Sequence, residues 1–144
     1  MTDEKVWTVV ARVESVGSGA YPTTITAREH TIVADEPTRN GGGDTGPAPY
    51  ELLLASLAAC TSITMRMYAA RKGWPLEQVS VGATYHRREG GERIRRTIEL
   101  TGPLDDDQRA RLLEIAGRTP VTRTLERAVP IETRLVPAAP GSAA

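Results

Sequence analysis

Alternating apolar and polar positions predict strands on both sides of one long apolar segment. Strand-like alternation, rich in β-branched residues, occurs in six places. These are residues 6–14, 22–28, 30–35, 79–87, 93–100 and 130–136. The second and third segments predict one hairpin, and the fourth and fifth predict another, because short turn-forming sequences join the members of each pair.

The segment between the two groups of strands, from Ala48 to Trp74, predicts a long helix. Pro47 and Pro49 suit a helix start, where a missing N–H costs nothing, and Gly73 suits its end. Apolar and small residues recur at steps of three and four, which predicts one apolar stripe. The stripe comprises Leu52, Leu53, Ser56, Ala59, Cys60, Ile63 and Met67.

Two further helices are predicted after the second hairpin. Residues 105–118 begin with acidic residues that favour a helix N-terminus, and residues 121–127 predict a shorter helix. The predicted order is therefore β-β-β-α-β-β-α-α-β, an α+β fold. Residues 1–136 are expected to form a single domain, and residues 137–144 a flexible C-terminal tail.

Composition and charge exclude several functions. The chain has 144 residues, with 18 basic and 18 acidic side chains, so nothing in its net charge favours binding to nucleic acid or to a membrane. Its start, MTDEKVWTVV, is not a signal peptide. Cys60 is the single cysteine, so no intrachain disulfide can form and a cytoplasmic location is expected. Because His30 and His86 lie far apart in sequence, no metal site is expected, and no cofactor.

Three segments resemble the OsmC/Ohr family, in particular its OsmC-like redox protein branch. They are HTIVADEP, the long GGGDTGPAPYELLLASLAACTSITMRMYAARKGW, and LDDDQRARLLEIAGRTPVTRTL. The resemblance implies an OsmC-like fold in an intertwined homodimer, with two long central helices packed inside and active sites at the interface. It also implies a role in oxidative stress, since characterised members reduce organic hydroperoxides with a pair of thiols.

The resemblance carries over to individual positions with differences. Cys60 matches the family's peroxidatic cysteine on the central helix. The family's resolving cysteine precedes a proline, and here that position holds Thr119. The family glutamate position holds Tyr50, and Glu51, one residue later, is a weaker catalytic candidate. The early loop that carries the family's arginine reads VGSGA at residues 16–20, so the arginine is missing. Arg28 and Arg39 are candidate replacements.

Three hypotheses follow. The first is a peroxidase that reduces organic hydroperoxides through Cys60 at the dimer interface, with the oxidised cysteine resolved by an external thiol or by the partner's Cys60. The second is a non-catalytic dimer that keeps the fold and its pocket, has lost peroxidase activity, and binds a small molecule. The third is a dimer in which Cys60 only packs as a small apolar residue. The sequence leaves the substrate, the reductant and the reactivity of Cys60 open.

Overall fold

A computed structural model of the chain describes residues 9–15 and 21–138. Within these ranges, five strands form two sheets, and three α-helices and one short 3-10 helix complete the fold. The elements are β1 (Arg12–Ser15), β2 (Thr23–Ala27), β3 (His30–Ala34), the 3-10 helix Thr38–Asn40, α1 (Pro49–Lys72), β4 (Gln78–Arg88), β5 (Gly91–Thr101), α2 (Asp106–Ala116) and α3 (Pro120–Arg127). The predicted α+β class and the order of the elements from β1 to α3 are confirmed.

The N-terminal sheet has the antiparallel order β1-β2-β3. The tight turn between β2 and β3 places Arg28 in the left-handed region, at φ 54°. In the part of the chain that the structure describes, the substantial contacts of this sheet are among its own strands. Val13, Ile32 and Val33 are exposed on it. Residues 9–15 and 21–138 of one chain therefore supply no apolar layer that covers this sheet.

Helix α1 begins and ends where its local chemistry dictates. The Glu51 carboxylate accepts a hydrogen bond from the backbone N–H of Ala48 (2.9 Å), which satisfies one free donor at the N-terminus. At the other end, Gly73 adopts φ 66° and donates its N–H to the carbonyl of Ala70 (3.2 Å). This left-handed cap favours glycine, because a Cβ would be strained there.

The core lies between α1, the β4–β5 hairpin and α2. The antiparallel register pairs Val81 with Ile98 and Ala83 with Arg96, so one face of the hairpin turns towards α1. Half-buried residues on that face are Val79, Val81, Ala83, Tyr85, Ile94, Arg96, Ile98 and Leu100. The most deeply buried side chains of the core belong to Met65, Ala69, Leu112 and Ala116.

The face of α1 that is buried within the chain differs from the predicted stripe. Its buried residues are Leu57, Thr61, Met65 and Ala69, four residues apart along one side of the helix. Members of the predicted stripe, among them Leu53, Ile63 and Met67, are exposed. The reason is that α1 is apolar around most of its circumference, so periodicity alone does not select one face.

The predicted final strand at residues 130–136 is wrong for this structure, which has no regular secondary structure there. The segment has a strand-like sequence, but a strand needs a neighbour for its backbone N–H and C=O groups. No described strand pairs with it, and Leu135 is fully exposed. Residues 6–8 of the first predicted strand, and residues 139–144 of the predicted tail, lie outside the described residues.

A buried carboxylate organises the loop between β3 and α1. Asp35 accepts hydrogen bonds from the backbone N–H groups of Glu36 (2.7 Å), Gly43 (3.2 Å) and Thr45 (3.1 Å), and from the Thr45 hydroxyl (2.7 Å). Its own N–H donates to the carbonyl of Pro47 (3.1 Å). The Thr45 hydroxyl is the main cause of a lowered pKa of Asp35, since these donors favour the charged form.

Replacing Asp35 with asparagine should destabilise the protein at neutral pH. A group with a lowered folded pKa contributes stability above its unfolded value, near 3.8, and loses it as the pH falls through the folded value. The thermal midpoint of Asp35→Asn, followed by circular dichroism, should lie below that of wild type at pH 7, and the gap should narrow in acid. Asp44→Asn is the control, because Asp44 is exposed and asparagine tolerates its φ of 55°. If the difference between the thermal midpoints of wild type and Asp35→Asn stays the same as the pH falls, Asp35 does not have this role.

Candidate functional site

Cys60 lies near the middle of α1, on the face that the chain leaves uncovered. It follows Leu53 by seven residues and precedes Met67 by seven, and a spacing of two turns puts all three on one side of the helix. Its side chain is half-buried and forms no disulfide. The thiol therefore belongs to the exposed side of α1 and has partial access to solvent.

The position expected to hold a second thiol is part of a buried hydroxyl network. Thr119 is fully buried, and its Oγ1 lies 2.6 Å from Oγ1 of Thr122. Arg96 Nη1 donates to Thr122 Oγ1 (2.8 Å) and to Thr61 Oγ1 (2.9 Å). Thr61 directly follows Cys60 in α1, so this network joins the helix beside the cysteine to α3. It contains hydroxyls and one guanidinium, and no group in it can form a disulfide.

Tyr50, at the family glutamate position, belongs to an aromatic and charged cluster. Its ring packs against Tyr85, with the ring centroids 4.6 Å apart, and its hydroxyl accepts a hydrogen bond from Arg87 Nη2 (3.2 Å). Arg87 also forms a salt bridge with Glu92 (2.9 Å), whose carboxylate accepts a hydrogen bond from the Tyr85 hydroxyl. Glu51 points elsewhere, to the helix start that it caps.

Electrostatics fix the protonation states of this cluster. The hydrogen bond to Glu92 raises the pKa of Tyr85 to about 12, because the neutral phenol is the form that donates. The Tyr85 hydroxyl and then Arg87 lower the pKa of Glu92, and the pKa of Arg87 is raised. Around pH 7 the cluster therefore holds a neutral phenol, a carboxylate and a guanidinium, and none of them is set to exchange protons.

A cavity of about 520 Å³ lies between the start of α1, the hairpin and α3. Its walls are Tyr50, Leu53, Leu57, Tyr85, Glu92, Arg93, Ile94, Arg96, Thr122, Leu125 and Glu126. Cys60 is not among them. The volume lies within the range of small-molecule sites, roughly 300–1,000 Å³. The arrangement combines apolar walls with the guanidinium of Arg96, which is the usual composition of a site for a small ligand.

The candidate replacements for the missing arginine, Arg28 and Arg39, do not join this site. Arg28 lies in the β2–β3 turn and Arg39 in the 3-10 helix. Both are exposed, and neither side chain hydrogen-bonds or forms a salt bridge with another residue of the ranges 9–15 and 21–138. Neither lines the cavity. The structure therefore does not bring either arginine together with Cys60 within one chain.

Sequence reasoning missed Arg96, although a signal for it existed. Arg96 lies between Ile94 and Ile98 in the alternation of β5, at a position whose neighbours of the same parity are apolar. An arginine at such a position is directed towards the protein interior and needs partners there. The partners themselves, Thr61 and Thr122, are too distant in sequence for a local pattern to reveal them.

Two other features of the described residues bear on function. They contain no cluster of three or more histidine, cysteine, aspartate or glutamate side chains that could hold a metal ion. Helix α1 is long and apolar enough to cross a membrane by length and composition alone, a test that the core helix of a soluble protein also passes.

The small sheet, the long central helix, the hairpin and the two shorter helices together define the OsmC-like fold. A family model described as OsmC-like protein matches residues 41–134, which is well over half of the chain. The chain therefore belongs to the OsmC-like protein family, and the resemblance found in its sequence is confirmed.

Solved structures support this fold. An OsmC-like protein from Mycoplasma pneumoniae is 21% identical, with a TM-score of 0.71, over 83% of this chain and 88% of that one. The organic hydroperoxide resistance protein OsmC from Legionella pneumophila is 21% identical, with a TM-score of 0.60, over 83% and 90%. OhrB from Bacillus subtilis, also an organic hydroperoxide resistance protein, is 22% identical, with a TM-score of 0.56, over 80% and 89%. No curated protein matches the chain.

Proposed function

We propose that this protein has a thiol-based redox role in the response to organic hydroperoxides, with Cys60 as its single reacting thiol. Family membership and structural neighbours named for hydroperoxide resistance support the general role. The observation that carries the specific proposal is the position of Cys60. It occupies the family's cysteine position on α1 and keeps partial access to solvent on an uncovered face.

The proposed reaction consumes one hydroperoxide per thiol. The Cys60 thiolate attacks the outer oxygen of the hydroperoxide, the O–O bond breaks, and the alkoxide leaves and takes up a proton to become an alcohol. Cys60 is then a sulfenic acid. Because Thr119 offers no second thiol, a small external thiol attacks the sulfur, releases water and forms a mixed disulfide. A further thiol displaces Cys60 and returns it to its reduced state. A cytoplasmic location would supply such thiols.

The proposed active form is a homodimer. The described residues of one chain leave two apolar surfaces uncovered, the Leu53, Ile63 and Met67 face of α1 and the Val13 and Ile32 region of the N-terminal sheet. Large exposed apolar surfaces on a soluble protein commonly mark an interface. A second copy could cover both surfaces by an isologous exchange of contacts, and it would place Cys60 at the interface.

A second candidate function is binding without catalysis. Two observations favour it. The position for a second thiol holds Thr119 within a satisfied hydroxyl network, and the glutamate position holds Tyr50, whose hydroxyl and ring are engaged with Arg87 and Tyr85. In this case the cavity would hold a small molecule, and Cys60 would be a packing residue.

Exposure to tert-butyl hydroperoxide separates the two candidates. If Cys60 reacts, one equivalent should add one oxygen atom to the intact wild-type chain, and a second equivalent should add another, as seen by mass spectrometry, because no second cysteine can capture the sulfenic acid. A small thiol added together with the peroxide should yield the mixed disulfide instead. Cys60→Ser should show neither product.

The rate of alkylation of the folded protein provides an independent measurement. A reacting thiol should be alkylated near neutral pH at least as fast as free cysteine, whose thiol has a pKa of about 8.5. If alkylation proceeds only after denaturation, and peroxide leaves the mass unchanged, the redox proposal is wrong and the binding candidate stands. Met67→Leu is a suitable control for oxidation of methionine, because Met67 of α1 is 59% exposed and therefore accessible to the peroxide.

A further inference from the structure

The cavity contains an arginine whose hydrogen bonds are only partly used. Two N–H groups of Arg96, both on Nη1, donate to Thr61 and Thr122. A guanidinium has five N–H donors. Nε and Nη2 form no hydrogen bond to another described residue, yet no buried side-chain nitrogen or oxygen of these residues lacks a partner. The free N–H groups of this half-buried side chain must therefore reach solvent, and Arg96 lines the cavity.

The charges around Arg96 leave it available to an anion. Glu92, one of the two acidic residues of the cavity wall, is engaged by Arg87 (2.9 Å) and by the Tyr85 hydroxyl. Arg93 adds a second positive charge to the cavity wall, and Glu126 adds one negative charge. Arg96 forms no salt bridge with any residue in the described part of the chain. A guanidinium held by two threonine hydroxyls is fixed in place, which favours the binding of a carboxylate.

The rest of the cavity suits an apolar body that contains a ring. The rings of Tyr50 and Tyr85 form part of the wall, and aliphatic side chains from α1, β5 and α3 form other parts of it. These aliphatic residues are Leu57, Ile94 and Leu125, together with Leu53, which also belongs to the proposed dimer face of α1. Aromatic rings in a ligand gain from offset or tilted packing against tyrosines of this kind.

We propose that this cavity is a non-covalent binding site for a small aromatic monocarboxylate, with Arg96 binding the carboxylate and Tyr50 and Tyr85 contacting the ring. Within one chain Cys60 does not line this cavity, so the ligand is bound without a bond to the thiol. It extends the binding candidate described above by giving the ligand a chemical class. The free N–H donors on Nε and Nη2 of Arg96 bind the anion, and the apolar walls favour an anion that carries a ring over a bare anion.

Isothermal titration calorimetry with naphthylacetate and its neutral analogue naphthylacetamide tests the site. Both compounds carry the same ring, so the difference between their affinities reports the contribution of the carboxylate. Wild type should bind naphthylacetate at least about tenfold more tightly, because hydrogen bonds to a charged group are stronger than those to a neutral one. Arg96→Gln should remove that preference. Arg95→Gln should keep it, because Arg95 lies on the opposite, exposed face of β5.

Two further variants keep the test decisive. Tyr50→Ser removes part of the aromatic wall at an exposed position. It should weaken the binding of both compounds, while the preference for the anion remains. Cys60→Ser should bind as wild type does, which separates this site from the redox proposal. Equal affinity of wild type for the acid and the amide, or no binding of either, would overturn the proposal, and this comparison does not depend on whether Arg96→Gln folds. A loss of binding in Cys60→Ser would overturn the separation of the two sites.

Discussion

Ile63→Asp is expected to abolish the soluble dimer. Ile63 is 53% exposed in a single chain, so an aspartate there would be solvated and harmless to an isolated monomer. Across a helix–helix interface the same carboxylate would be buried without a partner, at a cost of several kcal/mol. Sedimentation velocity at micromolar concentration should show a dimer for wild type, and a monomer or aggregate for the variant.

Leu113→Asp is the matched control for this experiment. Leu113 is 64% exposed and belongs to α2, which is not part of the proposed interface, so its replacement should leave the dimer intact. If wild type is a monomer, or if Ile63→Asp remains a dimer with wild-type stability, the proposed interface is wrong. Loss of the dimer in both variants would show that the surface of α2, and not only that of α1, lies at the interface.

Leu112→Ala is expected to destabilise the protein by about 2–5 kcal/mol, the range for truncating a buried leucine. The side chain of Leu112 is fully buried and packs in the core with Met65 and Ala69 of α1. Denaturant unfolding should show a lower midpoint with little change of slope.

The adjacent residue provides the comparison, since Leu113→Ala makes the same chemical change at an exposed position of the same helix. It should change the free energy of unfolding by less than about 0.5 kcal/mol. If both variants lose similar amounts of the free energy of unfolding, α2 is buried on both sides in solution. Packing against the core between α1 and the hairpin is then not the main contribution of α2 to stability.

The sequence predicted well those elements that local chemistry determines. Pro49 and Gly73 bracket α1 because each satisfies a requirement of a helix end. The β4–β5 hairpin follows from two-residue alternation around Gly90 and Gly91, since alternation sets both the strands and the face they bury. These features depend on neighbours in the sequence, so no knowledge of tertiary contacts was needed.

Features that depend on distant partners were not predicted. The face of α1 that is buried depends on the elements that pack against the helix. Because α1 is apolar around most of its circumference, its sequence does not indicate which face that is. Residues 130–136 have a strand-like pattern, but pairing requires a neighbouring edge, and none of the described strands provides one. The pattern thus indicates the capacity of the segment to form a strand and not its state in this chain.

The candidate site shows the same division. The family resemblance identified Cys60 and the substitution at Thr119, because these are properties of single positions. The connection from Thr119 through Thr122 and Arg96 to Thr61 spans residues that are 26 and 35 positions apart, and only the fold brings them together. Arg28 and Arg39 were suggested by residue type alone, and the structure places both outside the cavity wall.

The hydroxyl network around Thr119 also has a consequence for how the protein responds to the redox poise of its surroundings. A thiol pair at this junction would make and break a covalent crosslink between α1 and the segment before α3 as the potential changed. Hydroxyls and a guanidinium undergo no such change, so the bonds that Thr119, Thr122 and Arg96 make stay the same in oxidising and reducing conditions. Oxidation of Cys60 would then form no crosslink to the segment before α3, and the groups that hold Arg96 in the cavity wall would keep their chemical state.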